Sequence, residues 1–129
     1  MSSTLYLLLV VRALYELARY DVIHLLLRSR SIQRHLPARA IGVRELSPES
    51  ATTITNALVL AGCLYWKPVR CLQRSVCMVR LLRAQGVAAR LVIGYRPAPF
   101  FSHAWVEVNG HVINDSPVYR TRLHVLLTA

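Results

Sequence analysis

Apolar residues recur at helical spacing over residues 4–28, as in Leu7, Val11, Leu14 and Ala18, with Arg12, Glu16 and Arg19 on the other side. This predicts an amphipathic helix, broken near Tyr20 and Asp21. The period is lost over 28–44, an Arg-rich stretch punctuated by Pro37 and Gly42 that reads as an irregular connector. Ser47 is then a good N-cap, Pro48 takes the favoured first-turn position and Glu49 suits the positive helix end. A second helix therefore runs to about Tyr65, and Pro68 stops it. A third is predicted over 71–85, with Leu72, Ser75, Met78, Val79 and Leu82 on one face, Arg74 and Arg80 flanking it, and Gly86 as the C-terminal cap. Beyond Gly86 the period changes. Residues 89–95 and 103–108 are short β-rich runs, Asn109-Gly110 is a hairpin signal, and 111–114 resumes as a strand.

Helices first and a small antiparallel sheet afterwards make an α+β domain. A chain of 129 residues fits one domain, here divided into an N-terminal helix with its connector (1–46) and a core (47–129). At 54% hydrophobic and 17% charged residues, intrinsic disorder is excluded. The net charge is +10, and 15 of the 16 basic residues are Arg, the side chain suited to bidentate pairing, so an acidic partner is expected. The longest apolar run, Leu5 through Val11, ends at Arg12 after seven residues, far short of the roughly twenty a spanning helix needs. Residues 1–4 lack the basic start of a signal peptide. Three cysteines, Cys63, Cys71 and Cys77, form no even, dense scaffold, so reduced thiols and a cytoplasmic address are expected. Neither they nor the five histidines show zinc-ligand spacing, and no metal is expected.

The chemistry-bearing types fall at distinct places: Cys71 at the head of a helix, His103 at the start of a strand and Asp115 just past the next strand. A cysteine at a helix N-terminus meets the positive end of the macrodipole, and an imidazolium beside it favours the attacking thiolate. A carboxylate would orient the ring. Register decides whether the last two can meet. A strict two-residue turn at Asn109-Gly110 sends Asp115 to the wrong face, whereas a three-residue loop with a bulge sets it diagonal to His103. The bland alternatives are that His103 is structural and that Asp115 merely starts a turn through its side chain. Cys63 and Cys77 read as small buried apolar residues. Cys77, about 240° around the helix from Cys71, cannot share its cleft. His24, His35, His111 and His124 lack acid or thiol neighbours and read as structural or exposed.

Several ordered stretches carry a resemblance: Cys71-Leu72-Gln73-Arg74-Ser75, then Leu81-Leu82-Arg83-Ala84-Gln85-Gly86-Val87, then Pro99-Phe100 ahead of Ser102-His103-Ala104-Trp105-Val106-Glu107-Val108, then Asn114-Asp115-Ser116-Pro117. Together they resemble the transglutaminase-like cysteine-protease core, and more narrowly the leader peptidases of lasso-peptide biosynthesis. The resemblance implies a Cys71-His103-Asp115 triad and a papain-like core without a cofactor. It implies removal of the leader from a ribosomally made precursor, for a separate ATP-dependent cyclase to close. In such systems a small recognition domain holds the leader, fused or separate. The residues before Ser47 read as helix and connector rather than as that domain, so the expected form is a standalone peptidase working with a recognition protein in trans. The backbone N–H of Cys71 would serve the oxyanion. Trp66 is the candidate second donor through its indole N–H, set against a plainer role as an apolar anchor beside the helix.

Two other functions compete. An acyl transferase of transglutaminase type would use the same residues with an amine as acceptor. A nucleic-acid-binding module would use the charge and leave the cysteines in the core, but the arginines are scattered from Arg12 to Arg122 without an organising motif. In the peptidase reading the charge serves an acidic leader or partner, and the apolar face of the first helix is a candidate docking surface.

Overall fold

The computed structural model describes residues 3–27, 36, 45–113 and 115–129. Apart from buried Leu36, the connector expected over 28–44 lies outside the described residues, as does Asn114. The first helix, α1, runs unbroken over Ser3–Leu27. The interruption expected at Tyr20 and Asp21 does not occur. No proline or glycine falls there, and the Tyr20 ring stacks on that of His24 one turn later, at 6.3 Å.

The buried face of α1 also differs from expectation. Val10, Ala13, Leu17 and the carboxylate of Glu16 face the core, whereas Leu7 and Val11 are about 60% exposed. A helix apolar on most sides does not choose a face by periodicity alone. Here Ala13 meets a core that includes Ala57 and Ala61 of α2 (Pro48–Leu64), small residues that allow helices close approach. Glu16 is drawn inward by two guanidinium groups, Arg80 Nε at 2.5 Å and Arg12 Nε at 3.0 Å. The first helix thus shares one core with the rest of the chain.

The second helix starts as its sequence dictates. The Ser47 hydroxyl accepts from the Ser50 N–H at 3.1 Å, and Pro48 opens the first turn. The third, α3 (Cys71–Ala84), is central, touching α1, α2 and the sheet. Ser75, Met78, Val79 and Leu82 are buried as expected, as is Cys77; Val76 and Leu81 are buried as well, and Leu72 is half-buried. Gly86 ends this element at φ 82°, the left-handed conformation that glycine adopts without strain.

Four strands follow, β1 (Ala89–Pro97), β2 (Phe100–Val108), β3 (His111–Val112) and β4 (His124–Thr128), with the short helix α4 (Val118–Arg122) before the last. They form one antiparallel sheet in the order β3-β2-β1-β4. Alternation divides the two faces. Ala89, Leu91, Ala104, Val106 and Val108 join the helical core, while Val92 and Trp105 pack with Leu123 on the other side. Gly94 lies opposite His103 on that second face, where the β1–β4 register shifts. A Cβ there would fall 2.7 Å from Trp105 Cη2 and 2.9 Å from Leu123 Cβ.

Gly94→Ala is therefore expected to lower stability by about 1–3 kcal/mol, through displacement of a fully buried indole. A urea midpoint that falls while the slope stays constant checks this.

Candidate active site

The turn between β2 and β3 has two residues, Asn109 at φ 53° and Gly110 at φ 78°, so that Val108 faces His111 and Glu107 faces Val112. The longer, bulged loop expected to correct the register is not used. Instead β3 pairs for two residues only, its last backbone contact being Ile113 N–H to the Val106 carbonyl at 3.1 Å. The chain then leaves the ladder, and the alternation rule no longer binds Asp115. Its Oδ2 accepts from His103 Nε2–H at 2.5 Å, and its Oδ1 accepts from the Ser116 backbone N–H at 2.8 Å. Asp115 thus both holds a ring and shapes a turn. A carboxylate only accepts, which puts the His103 proton of this bond on Nε2 and leaves Nδ1 for other chemistry.

His103 is well enclosed, its side chain 13% exposed. Tyr119 lies 4.2 Å away between ring centroids, and Phe101 stacks at 6.1 Å. Phe101 was foreseeable from alternation, since residues two apart on a strand share a face. Tyr119 had no sequence signal, because it belongs to α4 and arrives through tertiary packing.

Two side chains from the start of α3 reach this edge of the sheet, one to β2 next to His103 and one to Asp115. In an antiparallel ladder the carbonyls of alternate residues point to the same edge, so the Ala104 carbonyl faces the same side of β2 as that of Val106. There β3 has already ended, and the buried Ser75 hydroxyl donates to it at 3.1 Å. Arg74 Nη2 stands 3.9 Å from Asp115 Oδ2. Its buried Nε has no acceptor among the described residues. Cys71 is the first residue of α3, partly exposed, three positions before Arg74 and four before Ser75, hence on their side of the helix. The preceding Arg70 makes no side-chain cap, so it leaves the first-turn N–H groups to other acceptors. His103 points to the sheet face away from α1, α2 and α3, toward Tyr119 of α4, whereas Cys71 packs against the helical core, and Arg74 is the α3 side chain that reaches Asp115.

The other thiols differ sharply. Cys77 is fully buried, and burial, with the nearby Glu16 charge next, pushes its thiol up to about 12. Cys63 is exposed on α2, contrary to the buried role expected of it: that helix turns Ala57, Leu58 and Ala61 inward and leaves Cys63 outside. Trp66 does not act as a buried anchor either, being 79% exposed with Lys67 Nζ 5.8 Å from its ring. Its neighbour Tyr65 takes the inward place, where its hydroxyl donates to Asp21 of α1. Lys67 Nζ reaches the same carboxylate at 2.7 Å. Burial opposes the charge on Asp21, but hydrogen bonds from Lys67, Tyr65 and Gln73 prevail and lower its pKa. Of the remaining histidines, His24, His111 and His124 are exposed, and His35 lies outside the described residues. Among the described residues no helix is long and apolar enough to cross a membrane.

Iodoacetamide at pH 8 is expected to label Cys63 and Cys71 in the native protein and to spare Cys77, whose thiolate fraction at a pKa of about 12 is on the order of one part in 10,000. Peptide mass mapping before and after unfolding reads this directly. Ser75→Ala orphans the Ala104 carbonyl and should cost about 1–3 kcal/mol in urea denaturation.

The match to known proteins agrees with this architecture. Over 56 residues the chain is 50% identical to the microcin J25-processing protein McjB of Escherichia coli, a match covering 43% of this chain and 27% of that protein. No solved structure matches the chain. Residues 8–128 match the family model described as transglutaminase-like superfamily, nearly the whole of the described fold. The chain therefore belongs to the transglutaminase-like superfamily.

Proposed function

We propose that this protein is a cysteine endopeptidase that removes the leader from a lasso-peptide precursor, with Cys71 as nucleophile, His103 as acid and base, and Asp115 as the group that orients His103. The observation that carries the reading is the His103–Asp115 hydrogen bond at 2.5 Å, formed where Arg74 links Asp115 to the helix that Cys71 begins. The likeness to a microcin-processing protein supports a peptide precursor as the substrate class.

In the proposed reaction the Cys71 thiolate attacks the scissile carbonyl, and the negative oxygen is met by the Cys71 backbone N–H at the uncapped head of α3. Trp66 stays a candidate second donor, on the exposed segment that leads into that helix. The proton on His103 Nδ1 passes to the leaving nitrogen, which departs as the free α-amine of the core peptide, and a thioester remains on Cys71. His103 then takes a proton from water. The resulting hydroxide adds to the thioester, the C–S bond breaks, and the leader leaves as a carboxylate. Water is the only co-reactant. The α-amine is what a separate ATP-dependent cyclase would join to a side-chain carboxylate. The proposed partners are the precursor, that cyclase and a separate leader-recognition protein.

The test incubates the purified chain with the precursor and recognition protein encoded beside it and follows intact mass. Two fragments whose masses sum to precursor plus one water are expected. Crosslinked product with loss of ammonia would instead establish acyl transfer, and duplex binding of steep salt dependence with no cleavage would favour the nucleic-acid module. Cys71→Ala should lose at least about 1,000-fold in turnover. Asp115→Asn should lose on the order of 100- to 10,000-fold through misorientation of the ring. Cys77→Ala should retain activity. Full turnover by Cys71→Ala would refute the assignment.

A further inference from the structure

Against the far side of the Phe101 and Tyr119 rings lies a cavity of about 330 Å³. Its walls are Phe101, Val118, Tyr119 and Leu123 with the one small polar residue Ser116, and its rim carries Arg96 and Arg122. Phe101 and Tyr119 stack on one another at 6.2 Å, and each also lies against the His103 ring. Whatever fills the cavity therefore rests on the two rings that hold the imidazole in place. Phe101 and Val118 are 37% and 45% exposed there, apolar surface that water alone covers at a cost. The volume sits at the lower end of the range for ligand pockets, which suits one side chain of an extended peptide rather than a whole small molecule. The rim is cationic. Arg96 is fixed over the Phe101 ring at 5.6 Å and donates from Nε to the Pro99 carbonyl at 3.1 Å, while Arg122 closes α4.

We infer that this cavity is a specificity subsite that receives one apolar side chain of the substrate peptide, with a carboxylate on a neighbouring residue of that peptide held by Arg96 and Arg122. The inference rests on the reading of His103 and Asp115 as part of a peptide-cleaving centre, and it adds the chemical class of the segment bound beside them. Apolar burial selects the side chain, and the two guanidinium groups select an acidic neighbour over a basic one. The arginines face solvent at the rim, so their part of the affinity falls with added salt.

The experiment is a titration of the full isotope-labelled chain with three probes, N-acetyl-leucinamide, N-acetyl-aspartyl-leucinamide and N-acetyl-serinamide, followed by methyl and amide NMR. The leucine probes are expected to shift the Val118 and Leu123 methyl signals and to saturate, and the serine probe to leave them in place. The aspartyl probe should bind at least about threefold tighter than N-acetyl-leucinamide at low salt, an advantage that Arg122→Gln removes. Val118→Trp fills the cavity and should weaken both leucine probes at least about tenfold, and Phe101→Ala, which removes one wall, should weaken them as well. Shifts no larger with leucine than with serine, or shifts that survive both substitutions, would overturn the subsite. Equal affinity of the two leucine probes would overturn the role given to the arginines. No bond is cleaved in this titration, so binding by Cys71→Ala upholds the subsite independently of turnover. Probe binding by a wild-type chain that fails to cleave precursor would count against the peptidase reading alone.

Discussion

The Ala104 carbonyl points out of the sheet at a place where the neighbouring strand has already ended, and the Ser75 hydroxyl meets it. A buried carbonyl left without a donor costs about 1–3 kcal/mol, so this one bond pins the second turn of α3 to the open edge of β2. The rest of the candidate site follows from that edge. Because β3 is two residues long, α3 can approach β2 there, and the chain leaving β3 is free to bring Asp115 alongside His103. A longer β3 would satisfy Ala104 by strand pairing and send Asp115 to the opposite face.

The arginines illustrate how a charge total misleads about where charge goes. Arg80 and Arg12 converge on the buried Glu16, and Arg83 Nε donates to the Ala89 carbonyl at 3.1 Å. Arg120 pairs with Glu107, whose other oxygen accepts the Trp105 indole N–H at 2.8 Å, and it also donates to the Gly110 carbonyl. Several cations that would have been assigned to an acidic partner are thus structural members, joining α1 to α3 and the second hairpin to α4. A planar guanidinium with several donors suits such bridging better than an ammonium does. The cations left facing outward around the aromatic cluster, Arg96 and Arg122, acquire meaning from their position beside an apolar hollow.

The three thiols make the same point about environment. Cys77 is chemically silenced by burial, Cys63 is open to solvent on a helix flank, and Cys71 stands half-covered at a helix head. Identical side chains therefore stand in three different environments within one small fold.

Local signals were legible. Ser47 and Pro48 start a helix, Gly86 ends one, Asn109-Gly110 turns a hairpin, and Cys71 opens α3, because each depends on residues only a few positions away. The pairing of His103 with Asp115 could be named as an option but not its means, since the early end of β3 reflects competition between a strand and a distant helix for one edge. The inward face of α1, the exposure of Cys63 and Trp66, and the arrival of Tyr119 at the His103 ring were equally hidden. Each is settled by complementarity between segments far apart in the chain, where a buried charge finds its counterion or a small side chain admits a neighbour, and linear order carries no record of those distances.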